Sequence, residues 1–174
     1  MTRLSLLMAV GLTMVGGAVL AAEVVIPITA IDSTGIGSQI GTLKIKDAKD
    51  GILVTPKLAG LTSGPHGFHV HENPSCAPKE QDGKSVAGLS AGGHFDPDKS
   101  GKHEGPWAHG HKGDMPALAV NGDGMAMDSV MVPRLKVADL KGRSVVIHAG
   151  ADNYSDQPKP LGGGGARIAC GVVP

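Results

Sequence analysis

Apolar residues in this chain come in short runs, several of them alternating with polar ones, and glycine, asparagine, aspartate or proline separates one run from the next. Alternation with period two marks a half-buried strand, and runs of this length between turn residues are strand-sized. Strands are predicted on this basis at Val24–Ala30, Gly41–Lys46, Ile52–Leu58, Gly67–His71, Leu118–Val120, Met125–Val132, Ser144–His148 and Arg167–Val172. NGDG, Asn121–Gly124, predicts a hairpin turn, and Val137–Gly142 a single helical turn. Two stretches show no pattern, Glu72–Gly113 and Gly150–Gly165. Loops that long in a compact domain are usually functional, disordered or stapled.

The N-terminal stretch MTRLSLLMAVGLTMVGGAVLAA follows a different rule. One cation, Arg3, precedes an apolar run from Leu4 that ends in small residues, which is the layout of a secretory signal peptide. Residues 1–22 are therefore expected to be a leader cut after Ala21 or Ala22, and 23–174 the exported, periplasmic domain. An uncleaved anchor is the alternative, since Leu4–Ala22 is nearly long enough to span a bilayer. Gly16, Gly17 and the alanine-rich end fit cleavage better.

Composition narrows the fold. The chain of 174 residues is about one domain, 41% hydrophobic, with two Phe, one Trp, one Tyr and 27 Gly. Small aliphatic side chains with many turns favour an all-β domain over a helical bundle. Lys plus Arg equals Asp plus Glu at 16 each, so nothing points to nucleic acid as a partner. Removing Arg3 with the leader leaves 15 cationic against 16 anionic residues, a net charge of −1. In an oxidising compartment the lone pair Cys76 and Cys170 is expected to form a disulfide. Closing so long a loop restricts the unfolded chain by at most about 4–5 kcal/mol.

All eight histidines lie between His66 and His148. In HGFHVHE, alternation puts His69 and His71 on one strand face and Phe68 and Val70 on the other. Such a pair can chelate an ion, and can equally be two hydrogen-bonded histidines. His148 ends the apolar run SVVIH, where an imidazole needs a partner. GGHFDPDKSGKHEGPWAHGHKGD then adds His94, His103, His109, His111 and Asp114. A His-rich run can be a disordered metal buffer, but this one carries a carboxylate three residues after His111.

GFHVHENPSC, GGHFDP, GKHEG, HKGD, VVIHAGADNYSD and GGGGARIACGV together resemble the copper/zinc superoxide dismutases, in particular their bacterial periplasmic branch. The resemblance runs from about Val24 to the C-terminus. It implies a flattened Greek-key β-barrel of the immunoglobulin-like sandwich type, with two long functional loops holding the metals on its outside. It implies one copper and one zinc per subunit, with copper held by His69, His71, His94 and His148, and zinc by His94, His103, His111 and Asp114. Four imidazoles suit tetragonal Cu(II), and three imidazoles with a carboxylate suit a closed tetrahedral zinc site. His94 would use both ring nitrogens, one for each metal.

The implied reaction converts two superoxide anions and protons to dioxygen and hydrogen peroxide by alternate reduction and reoxidation of copper, protecting the cell envelope. His94 would carry a proton and Arg167 would guide the anion, while Asp152 would link His69 and His103. His66 reads as structural, Glu72 and Lys159 as exposed charges, His109 as a rival zinc ligand, and Trp107 as packed on its loop, set against a second subunit or exposed. Nothing in the residues decides between monomer and homodimer, and no stable membrane association is expected after cleavage. A metal carrier on the same scaffold, or a zinc hydrolase with a water-activating carboxylate, would share part of the pattern. The complete copper set, the arginine and the excess of histidines favour the dismutase.

Overall fold

The computed structural model describes residues 22–174, so the leader expected over residues 1–22 falls almost wholly outside the described residues. Eleven strands form among the described residues: β1 (Glu23–Asp32), β2 (Gly35–Ala48), β3 (Gly51–Leu58), β4 (Gly64–His66), β5 (Phe68–His71), β6 (Lys79–Gln81), β7 (Lys84–Val86), β8 (Leu118–Val120), β9 (Val130–Pro133), β10 (Ser144–His148) and β11 (Arg167–Val172). They pair antiparallel in the order β5-β10-β11-β1-β2-β3-β9, with β4-β8 and β6-β7 as separate pairs. β4 runs directly into β5, and a bridge from Leu58 to Ala126 ties β3 to the segment after β8. These links curl the sheet into a flattened Greek-key barrel.

Alternation explains the filling of the barrel. Ile26 and Ile28 of β1, Leu43 and Ile45 of β2, Ile52 and Val54 of β3, and Phe68 and Val70 of β5 all point inward and are fully buried in one cluster. Beyond Ile28 the β1–β2 register shifts. A bulge of this kind re-aims the following side chains. Ile31, three residues after Ile28, therefore joins a second cluster with Ala91, Val146, Cys76 and Cys170. Cys76 and Cys170 are bonded, with Cα atoms 5.7 Å apart. The bond pins the segment after β5 to β11, three residues from Arg167.

Reducing this disulfide should lower the melting temperature by roughly 5–15 °C, from an upper entropic term of about 4–5 kcal/mol. Dismutase activity should fall with it. Differential scanning calorimetry and an assay on the same reduced sample check this; unchanged activity after complete reduction would leave the bond a fold support alone.

Several boundaries differ from the expectations above. β2 starts at Gly35 because its first residues pair with the end of β1 while staying exposed, so no apolar alternation announces them. The expected strand Gly67–His71 starts at Phe68, and Gly67, whose backbone N–H turns to Gly150 O (2.7 Å), separates it from the unexpected short strand β4. Met125–Val132 is strand from Val130 on, with Ala126 making a single bridge. The turn at Asn121–Gly124 forms, held by Asn121 Oδ1, which accepts from Asp123 and Met125 N–H at 3.0 and 2.9 Å. It does not close a hairpin of paired strands, because β8 pairs with β4 and β9 with β3. The helical turn is a 3-10 turn at Val137–Leu140.

Candidate metal centre

Six histidines and two aspartates converge on the outer face of β5 and β10. His69 and His71 project from β5 away from the core, and the strand register sets His69 opposite Val146 and His71 opposite Ser144. His148 closes β10, opposite Arg167 on β11. Isolated bridges bring the long loop alongside, His71 to His94 and His69 to Asp114. The site histidines 69, 71, 94, 103, 111 and 148 and Asp114 are all at most 8% exposed.

One nitrogen of each ring near β5 is tied to the protein. His69 Nε2–H donates to Asp152 Oδ2 (2.7 Å), His71 Nδ1–H to Gly92 O (3.0 Å) and His148 Nδ1–H to Gly165 O (3.1 Å). Those bonds fix ring orientation and leave the opposite nitrogen with its lone pair. Four residues, His69, His71, His94 and His148, then offer ligand atoms within 4.8 Å of one another. Burial, with the neighbouring His94, lowers His69 to about 3, and burial likewise lowers His148 to about 4. Burial also holds His71 well below its ordinary value and lowers His94. The rings are therefore neutral and able to ligate at neutral pH.

The adjoining group is more acidic. His94 Nδ1 lies 2.9 Å from Asp114 Oδ1, His103 Nδ1 3.0 Å from Asp114 Oδ2 and His111 Nδ1 3.6 Å from Asp114 Oδ1. His103 Nε2–H donates to Asp152 Oδ1 (2.8 Å), so one carboxylate holds His69 and His103 together. Burial opposes charge on His103, but the carboxylates of Asp114 and Asp152 outweigh it and raise the ring to about 9. Asp114 is driven well below the usual carboxylate range by its histidine partners, against the cost of burial. This is a place built to hold positive charge.

Seven buried atoms here find no hydrogen-bond partner in the protein: Nδ1 of His69, His103 and His111, Nε2 of His71, His94 and His148, and Asp114 Oδ2. At about 1–3 kcal/mol for each unsatisfied group, their summed cost would rival the whole stability of a domain, about 5–15 kcal/mol. Atoms that face one another at 3.0–3.6 Å without bonding are arranged as ligands of ions.

On the acidic side, His69, His94, His103 and Asp114 offer ligand atoms within 4.8 Å of one another. His69 gives Nε2 to Asp152 and turns its free Nδ1 to the all-histidine group, whereas His111 Nδ1 is buried and unpaired beside Asp114. His109 is exposed and outside both groups. His66 is 1% exposed, with its nitrogens at Thr62 O (2.8 Å) and His148 O (2.7 Å), and so braces a loop end. Trp107 is 67% exposed and meets the Tyr154 ring edge-on at 5.4 Å.

Arg167 donates Nη1 to Gly88 O (2.6 Å) and Nη2 to Gly92 O (2.7 Å). Gly92 O also accepts from His71, so the guanidinium is held beside the all-histidine group. The glycines before it permit close approach. Gly162 has φ 70°, and a Cβ there would lie 2.0 Å from Asp152 Oδ1 and 2.7 Å from His103 Nε2. Gly162→Ala should displace that carboxylate and cost about 10- to 100-fold in zinc affinity, the usual effect of losing an outer-shell partner; chelator competition measures it.

Asp156 was not legible from the sequence, yet its Oδ2 accepts His103 N–H at 2.9 Å. Nor was Tyr154, whose OH accepts Ala117 N–H at 2.9 Å. Both act through the backbone, which leaves no residue pattern to read.

A Greek-key barrel that carries two adjoining histidine clusters on one outer face is a β-barrel metalloprotein. The chain belongs to the copper/zinc superoxide dismutase family, whose model matches residues 39–173. A superoxide dismutase [Cu-Zn] 2 of Salmonella typhimurium is 52% identical over 174 residues, 99% of each chain. Among solved structures, the Cu/Zn superoxide dismutase from Brucella abortus superposes with TM-score 0.86 at 49% identity, covering 88% of this chain and 100% of that one. The monomeric copper, zinc enzyme from Salmonella enterica gives TM-score 0.80 at 50% identity, with 88% and 100% covered. The protein is an enzyme that dismutates superoxide with copper and zinc.

Proposed function

We propose that copper is held by His69, His71, His94 and His148 and zinc by His94, His103, His111 and Asp114, with His94 between them. The observation that carries this is the set of seven unpaired buried atoms, which divides between the two groups without remainder. Copper supplies electron exchange with superoxide, and zinc fixes the geometry and basicity of the shared ring. Arg167, anchored on Gly88 O and on Gly92 O beside His71, draws the anion toward the all-histidine group. When not bound to copper, His94 Nε2 would be free to take up a proton, which would make this ring the proton donor to the product. Asp152 keeps His69 and His103 in one orientation relative to each other. His111→Ala should lose zinc while His109→Ala keeps it, by metal analysis of dialysed protein; the reverse would exchange their roles.

The export reading rests on the N-terminal pattern. We infer that residues 1–22 are removed and that the enzyme protects the cell envelope from the periplasm. N-terminal sequencing of the periplasmic fraction should begin at Ala22 or Glu23; an intact Met1 in the membrane fraction would restore the anchor. The balanced charge gives no reason to expect nucleic acid, and superoxide is the small-molecule partner. Sedimentation of the mature chain distinguishes a homodimer from a monomer, the state of the Salmonella enterica relative.

A further inference from the structure

The segment Gly101–Asp114 has no strand of its own, yet His103, His111 and Asp114 are buried. Its support comes from the connection between β9 and β10. The Arg134 guanidinium donates Nη1 to Ala108 O and Nη2 to Gly110 O (2.8 Å), the two carbonyls that flank His109 and lead into His111. Arg134 has φ 67°, in a region few residues other than glycine adopt. Such a conformation persists where surrounding contacts over-determine it. Here Leu135 follows fully buried in the core, and the two carbonyls fix the other end.

A second grip lies just past His111. Lys112 Nζ donates to Asp139 Oδ1 at 2.9 Å, and Asp139 Oδ2 accepts Lys136 N–H at 2.8 Å. On the opposite side, His111 N–H donates to Lys102 O (2.9 Å), and Gly110 packs so closely that a Cβ would come 2.6 Å from the same oxygen. The backbone around His111 is thus held through Arg134, Lys112 and Lys102, none of which is among the proposed ligands.

We propose that Arg134 is a positioning residue for zinc: it clamps Ala108 and Gly110 so that His111 Nδ1 is preset beside Asp114. The inference rests on the assignment of His111 to zinc. Truncating Arg134 leaves both carbonyls without their donor and lets His111 wander, so the cost falls on zinc retention and spares the copper ligands on β5 and β10.

The test is transfer of zinc from the copper- and zinc-loaded protein to excess chromophoric chelator, with copper retention followed in the same sample. Arg134→Gln should release zinc about 10–100 times faster than the parent, the range typical of outer-shell partners. Arg134→Lys, which keeps one donor, should fall between, and copper retention should match the parent. The metal-free protein should melt at the parental temperature, because the clamp acts on the metal segment. Parental zinc release by Arg134→Gln, alongside fast release by His111→Ala, would overturn the clamp and leave the ligand assignment standing. Parental release by both would overturn the assignment and the clamp together. An equal fall in melting temperature with and without zinc would make Arg134 a general fold contact. Should Arg134→Gln fail to fold, Lys112→Ala removes the second grip and should speed zinc release severalfold; no change there would count against the clamp.

Discussion

Replacing His94 with alanine should abolish dismutase activity and weaken both metal sites. The ring is 4% exposed and belongs to the all-histidine group, with Nδ1 2.9 Å from Asp114 Oδ1 and Nε2 buried without a partner. On the proposed assignment, removing it would take one ligand from each ion and also the residue that passes a proton. Zinc affinity should fall by more than the roughly 10- to 100-fold that an outer partner costs. His148→Ala is the informative comparison. His148 ties Nδ1 to Gly165 O and is in the copper-side group alone, so this variant should lose activity yet retain about one zinc per chain. Metal content after dialysis separates the two, and equal zinc loss would contradict the shared-ring assignment.

Arg167→Glu should cut the rate by tens to hundreds of fold with both metals bound. The net charge is 0 for the whole chain and would be −1 without the proposed leader, so no general attraction draws in an anion. A single cation about 6 Å from the anion, at an effective dielectric near 20, contributes roughly 3 kcal/mol before screening. Reversal replaces that attraction with repulsion and also removes the donors to Gly88 O and Gly92 O. Arg167→Lys separates the effects, because it keeps the charge but not the paired contact, and should retain much of the rate. The fall of rate with ionic strength should weaken or reverse in Arg167→Glu. Parental rate and salt dependence with full copper would reduce Arg167 to a surface charge.

Strands with one buried face were legible from the sequence. β3, β5, β8, β10 and β11 lie within a residue of their expected bounds: in β3 and β8 alternation largely follows burial, while β5, β10 and β11 show as short apolar runs bounded by turns or histidine. The β6–β7 hairpin, KEQ and KSV, was hidden because no residue of either strand is buried. The parity change in β1 was hidden for a different reason: a bulge is a property of two paired strands and cannot be seen in one. At the site, His69 and His71 were legible as a same-face pair, and Asp152 through its motif. Arg134 was not, since a guanidinium bonded to backbone carbonyls leaves no residue pattern at the accepting end. His109 and His111 are separated by burial, which their spacing in the sequence does not encode.

Whether two ions share His94 is read from anomalous diffraction by crystals of the copper- and zinc-loaded protein, recorded at both metal absorption edges. The expected result is a copper peak bounded by His69, His71, His94 and His148 and a separate zinc peak bounded by His94, His103, His111 and Asp114. A single peak, or a zinc peak held by His69, His103 and Asp114 with His111 turned away, would contradict it.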